Sequence, residues 1–129
     1  MSLFKSIFGD SSAENQTSKI NWIPLNHIDQ LKELVVSSNE KPVIIFKHST
    51  RCSISRMALK QFEREYAFTD TEVTAYFLDL LTFRDISNAI ASQFNIEHQS
   101  PQLILIKKGI AVYNASHSDI QVNDLVAEL

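Results

Sequence analysis

The sequence predicts an α/β domain: one central mixed sheet of about five strands with helices on both faces, in the order βαβαβαββα. Short apolar runs of strand length alternate along the chain with segments whose apolar residues recur at helical spacing. The last two runs, 102–107 and 110–115, are separated only by Lys108-Gly109. That link is too short for a helix and fits a tight hairpin turn in which glycine supplies positive φ, so these two strands are expected to be antiparallel neighbours.

Residues 1–9 place Leu3, Phe4, Ile7 and Phe8 on one side of a short helix, and 10–19 is polar and linker-like, so the domain is expected over 20–129. Residues 20–25 read as an edge strand stopped by Pro24, and Asn26 as the N-cap of a helix with Ile28, Leu31, Leu34 and Val35 inward. Val43 to Phe46 is continuously apolar, the pattern of a strand buried on both faces, and His48-Ser49-Thr50 reads as a sharp turn. From Ser53 onward Ile54, Ala58, Leu59, Phe62 and Tyr66 mark a second helix.

Residues 73–80 form the next strand, and 84–94 a helix with Ile86, Ala89, Ile90 and Phe94 on one face. A polar loop, Glu97-His98-Gln99-Ser100-Pro101, leads into the hairpin. Ser118-Asp119-Ile120-Gln121 has the pattern of a capping box for a closing helix carrying Val122, Leu125, Val126 and Leu129. Strands joined through helices run parallel with right-handed crossovers, and the hairpin adds antiparallel strands to the same sheet. The result is the thioredoxin architecture, and Ser100-Pro101 falls where that fold keeps a cis-proline.

A chain of 129 residues, 44% hydrophobic, is long enough for one domain with a proper core. A net charge of −3 and no long run of Lys and Arg argue against nucleic acid as a partner. With no apolar run of transmembrane length and no signal peptide, the expected location is the cytoplasm and no membrane partner is expected. One cysteine excludes an intrachain disulfide framework. The sequence has no Cys-x-x-Cys or His-x-x-x-His pair to suggest a metal site, and no glycine-rich phosphate loop.

The single cysteine, Cys52, falls between the buried strand and the second helix, close to the helix N-terminus. Unpaired N–H groups of a first turn carry partial positive charge, and Arg51 and Arg56 add two cations, so the thiolate should be favoured. A lone cysteine is often a small inert hydrophobe. Thr50, Arg51, Ser53 and Ser55 surround this one with hydroxyls and charge instead, which favours a nucleophile. Ser55 stands three residues on, where a Cys-x-x-Cys motif holds its second thiol. A hydroxyl there is expected to donate to the thiolate but has no disulfide to form.

The string from Phe46 to Ser55, Phe-Lys-His-Ser-Thr-Arg-Cys-Ser-Ile-Ser, resembles the active-site segment of the YtxJ-like family of monothiol bacilliredoxins, thioredoxin-fold proteins of bacillithiol-using bacteria. Asp85-Ile86-Ser87-Asn88, His98-Gln99-Ser100-Pro101-Gln102 and Ala115-Ser116-His117 resemble the same family in the expected order, over roughly residue 20 to the C-terminus. The resemblance implies reduction of mixed disulfides between proteins and a low-molecular-weight thiol, bacillithiol, with Cys52 as nucleophile and Ser55 as its partner. The family usually has Thr before the cysteine and Pro after it, where this chain has Arg51 and Ser53, a departure that bears on redox poise.

Thr50, Arg51, Ser53, Arg56, His48, His98, Ser100 and Pro101 are the expected activating or substrate-contacting residues. Dithiol thioredoxins keep a buried carboxylate six residues before the nucleophile; here that position is Phe46. Glu63, Glu65 and Asp79 read as solvated charges. No tightly bound cofactor is expected. The alternative from another class is a noncatalytic binding or redox-sensing module on the same fold, its cysteine capped without turnover. Iron–sulfur delivery would need a Cys-Gly-Phe-Ser motif, which the chain lacks.

Overall fold

The computed structural model describes residues 20–129; the helix and linker expected over 1–19 lie outside them. One sheet runs in the order β1-β3-β2-β4-β5, built from β1 (Ile23–Pro24), β2 (Val43–His48), β3 (Thr74–Asp79), β4 (Gln102–Lys107) and β5 (Ile110–Ser116). The described residues also form four α-helices, α1 (Gln30–Ser37), α2 (Ser53–Glu65), α3 (Arg84–Gln93) and α4 (Val122–Glu128), with a 3-10 turn at His117–Asp119. β1, β3 and β2 are parallel, β4 is antiparallel to β2, and β5 is antiparallel to β4. This is the mixed α/β sheet and element order that the sequence predicts.

Strand alternation divides the core into two layers. Ile44 and Phe46 of β2 pack on one face with Phe62 and Tyr66 of α2 and Val122 and Leu125 of α4. Val43 and Ile45 pack on the other with Leu31 and Leu34 of α1 and Ile86 and Ile90 of α3. All four β2 side chains are fully buried, each worth about 1.5–3 kcal/mol of burial. Truncating Phe46 to Ala should cost about 3–5 kcal/mol, because its neighbours come from several elements and cannot all collapse into the gap.

Four expectations are corrected. The polar turn expected at His48 begins one residue later: Lys47 and His48 continue β2 and are both buried. In α2 the inward stripe runs through Ser55, Ala58, Leu59, Phe62 and Tyr66, so Ser55 takes the position expected for Ile54, which is 59% exposed beside Met57 at 70%. Asn26 is not a cap: Gln30 Oε1 accepts the N–H groups of Asn26 and His27 at 2.8 and 2.9 Å, the chain turns before α1 begins, and Ile28 is left exposed. The capping box at Ser118 does not form, since His117 sits at φ 55 and opens a 3-10 turn; α4 starts at Val122, and Val126 and Leu129 face solvent.

The β4–β5 hairpin places both Lys108 (φ 52) and Gly109 (φ 76) in the left-handed region. Their N–H groups donate to Ser38 O at 2.9 Å and Ser38 Oγ at 2.8 Å, so the turn is tied to the end of α1. A Cβ on Gly109 would meet Val35 Cγ1 at 3.4 Å in addition to the unfavourable φ.

Candidate active site

At the carboxyl end of β2 the chain reverses through Ser49–Arg51, and Cys52 N–H donates to Ser49 O at 3.2 Å to close the turn. Cys52 is the N-cap of α2, extended at φ −100 and ψ 123, and its carbonyl accepts Arg56 N–H at 3.0 Å. The thiol is therefore carried on the residue from which the helix starts, where the first-turn N–H groups are unpaired within the helix. Cys52 is partly exposed, as a nucleophile must be. Thr50, Arg51, Ser53 and Arg56 are exposed around it, and Arg56 Nη1 donates to Thr50 O at 3.2 Å, which holds that guanidinium over the turn.

Ser55, one turn into α2, is fully buried. Its Oγ accepts Ser49 N–H at 3.0 Å and lies 2.7 Å from His48 Nδ1. The sequence expectation was a bond from Ser55 to the Cys52 sulfur; the hydroxyl instead bonds His48 and Ser49. The reason is the extra length of β2, which carries His48 inward beneath the first turn of α2. The His48 ring is buried and lies 5.5 Å from the Phe77 ring, with Asp79 as its partner in the β2–β3 register. Burial pushes the His48 pKa down, opposed by Asp79 and reinforced by Arg56, so the ring is neutral near pH 7. Asp79 is not merely solvated, because its carboxylate accepts Leu81 N–H at 3.2 Å and Thr82 O–H at 2.9 Å.

Phe46, at the position of the dithiol family's acid, is wholly apolar in its surroundings: its ring lies 5.5 Å from Phe62 and 6.0 Å from Trp22. Trp22 Nε1 donates to Glu63 Oε2 at 2.7 Å, a bond that the reading of Glu63 as solvated missed.

The two histidines do not meet. Lys47 points to the face of β2 opposite His48 and donates to His98 Nδ1 at 2.8 Å; Ser87 Oγ of α3 is 3.2 Å from the same nitrogen. His98 thus joins Lys47 and Ser87 in place of the expected thiol contact. Lys47 is fully buried, and burial lowers its pKa to about 8. Its position in an otherwise apolar strand was the one sequence signal of this cluster. The Ser100–Pro101 bond is cis, as expected, and Ser100 Oγ is buried without a hydrogen-bond partner among the described residues.

A shallow depression lined by Lys32, Glu33, Val36, Ser37 and Glu40 belongs to the α1 side and contains none of these groups. Among the described residues no cluster of three or more His, Cys, Asp or Glu side chains could hold a metal ion, and no helix is long and apolar enough to cross a membrane.

A family model described as monothiol bacilliredoxin BrxC matches residues 23–125. A solved protein described, provisionally, as an oxidoreductase with a thioredoxin fold is 34% identical, with 81% of this chain and 90% of that one covered and a TM-score of 0.69. Thioredoxin from Malassezia sympodialis is 20% identical over 86% of this chain and 90% of its own, with a TM-score of 0.63. Thioredoxin from Schistosoma mansoni is 22% identical over 88% and 97%, with a TM-score of 0.62. The two thioredoxins speak for the fold alone.

Proposed function

The chain belongs to the monothiol bacilliredoxin BrxC family, and on that premise we propose that it reduces mixed disulfides between proteins and a low-molecular-weight thiol, bacillithiol by family resemblance. Cys52 thiolate attacks the small thiol's sulfur in the mixed disulfide, one S–S bond forms as another breaks, and the protein sulfur leaves with the electron pair. A second small thiol then attacks the Cys52 adduct, releasing the small-molecule disulfide and regenerating the thiolate. S-thiolated proteins and the small thiol are the partners, and the cytoplasm is the compartment in which this cycle has its reductant.

The observation that carries the reading is the lone thiol at the start of α2 with a buried hydroxyl, Ser55, at the second-thiol position. Arg51 and Arg56 supply cations beside the reacting sulfur, Thr50 and Ser53 polar contacts, and Ser100 with Pro101 the backbone beside an extended substrate. Exposed Ile54 and Met57 offer apolar contact to the protein half of the substrate. The test is turnover of a bacillithiolated or glutathionylated protein with the matching free thiol in excess. Many turnovers with ping-pong kinetics, lost in Cys52→Ser, are expected. Capping of one equivalent with no further reaction would instead favour the redox-sensing module.

A further inference from the structure

Phe46 stands where dithiol thioredoxins keep a buried acid, so no carboxylate at that position is available to take a thiol proton. The groups beneath the first turn of α2 are His48 and Ser55, both buried and 2.7 Å apart.

A hydroxyl has one hydrogen to give and two lone pairs to accept with. One lone pair of Ser55 Oγ is committed to Ser49 N–H. The contact with His48 Nδ1 then has two forms. When Nδ1 is unprotonated, Ser55 donates to it and keeps a free lone pair, which accepts a thiol S–H. When Nδ1 carries a proton, His48 donates and the Ser55 hydrogen is free, which suits a thiolate. In each state the spare capacity of Ser55 matches one protonation state of a neighbouring sulfur. Cys52 and Ser55 occupy the N-cap and N3 positions of α2, about one helical turn apart on the same side of the helix, and no hydrogen bond joins their side chains in the structure.

Resting on the reading of Cys52 as the nucleophile, we propose that His48 is a positioning residue that receives the Cys52 proton through the Ser55 hydroxyl, so that His48 and Ser55 form a proton relay to the thiol. The Cys52 proton passes to Ser55 Oγ as the Ser55 proton passes to His48 Nδ1, leaving a thiolate, a neutral serine and an imidazolium. Heavy atoms stay in place within the His48–Ser55 pair, and the added link is the Cys52–Ser55 contact. Burial disfavours the imidazolium most, Asp79 from β3 stabilises it and Arg56 from α2 opposes it, so the proton rests on the ring only transiently.

The test follows the rate of Cys52 alkylation by iodoacetamide against pH in wild type, His48→Gln and Ser55→Ala, with the His48 ring titration read by NMR before and after alkylation. Glutamine keeps a hydrogen-bonding group against Ser55 but cannot take a proton, so a purely structural role survives it. The relay predicts a two-step rate profile in wild type, a single step in His48→Gln, and a rate at pH 7 slower by roughly tenfold or more in both variants. It also predicts that alkylation shifts the His48 midpoint in wild type and not in Ser55→Ala. A His48→Gln profile superimposable on wild type, or a His48 midpoint indifferent to alkylation, would overturn it. Alkylation involves no mixed disulfide, so failure here leaves the proposed reaction standing, and absence of turnover leaves the relay standing.

Discussion

Lys47 Nζ donates a 2.8 Å hydrogen bond to His98 Nδ1 on the opposite face of β2 from His48, and among the described residues it has no carboxylate in salt-bridge range. A buried cation paired only with a neutral ring destabilises the fold while it stays charged.

The first prediction follows from that burial. Lys47 titrates at about 8 in the folded chain against 10.5 for a lysine in water, so between those values the unfolded state binds more protons and stability rises with pH. Tyr66 and Tyr113, each pushed up to about 12, reverse the slope once unfolded tyrosines ionise near pH 10. Urea midpoints should therefore climb from pH 8 to about 10. Lys47→Met should abolish the climb and gain about 1 kcal/mol or more at pH 7. A destabilised Lys47→Met would mean that the Lys47–His98 bond outweighs the burial cost.

On the acid side the sign comes from His48 and His98, both of whose pKa values are lowered in the fold, mainly by burial. As pH falls through about 6.5 the unfolded chain takes up protons that the folded chain does not, so the stability present above that value is progressively lost. Denaturation midpoints from pH 8 to 5 should fall in wild type and fall less in His48→Gln. Parallel curves for the two proteins would show that His48 does not contribute in this window.

How much of this was legible before the structure depends on whether the informative partner is near in sequence. Val43 to Phe46, the spacing of Ile86 and Ile90, and Lys108-Gly109 carry their own signals of period and turn chemistry, and the sheet and its two layers follow from them. The partner of buried Lys47 is His98, 51 residues away, and the place of Lys47 at the end of an apolar run is the only local sign of it. Ser55 misled for a related reason. Hydrophobicity favoured Ile54 as the inward residue, whereas the phase of α2 is fixed by where the turn after His48 releases the helix, and the serine is tolerated inside because His48 and Ser49 satisfy it. The start of α1 was misplaced because Gln30 pairs with the preceding backbone from within the helix, a task usually read from the cap position.

Trp22 ties the chain before β1 to α2 through its bond to Glu63 and its packing against Phe77, 5.6 Å between ring centres. Glu63→Ala should cost about 1–3 kcal/mol, since it removes a charge-assisted acceptor from a half-buried donor. As the only tryptophan, Trp22 should report the change directly by a shift in its emission maximum. Unchanged emission and stability would show that the pair is not maintained in solution.

Ser55 separates a site built for one thiol from a dithiol site missing a partner. Ser55→Ala strips an acceptor from Ser49 N–H and a partner from His48, and should cost about 1–3 kcal/mol of stability while slowing but not ending turnover. Ser55→Cys should let the Cys52 adduct resolve internally, releasing the small thiol and leaving a disulfide between Cys52 and the introduced thiol. If that variant holds its adduct as long as wild type, the two positions do not face each other as the monothiol mechanism requires.

The most direct measurement is a single-turnover transfer followed by intact mass, with excess reduced protein mixed with a bacillithiolated protein and no free thiol present. The monothiol mechanism predicts that the substrate loses one small thiol while Cys52 gains it as a persistent adduct, confirmed by peptide mapping and absent in Cys52→Ser. If the substrate keeps its thiol, or if the protein that gains mass is linked through Cys52 to the substrate chain with no small-thiol adduct forming, the central claim is contradicted.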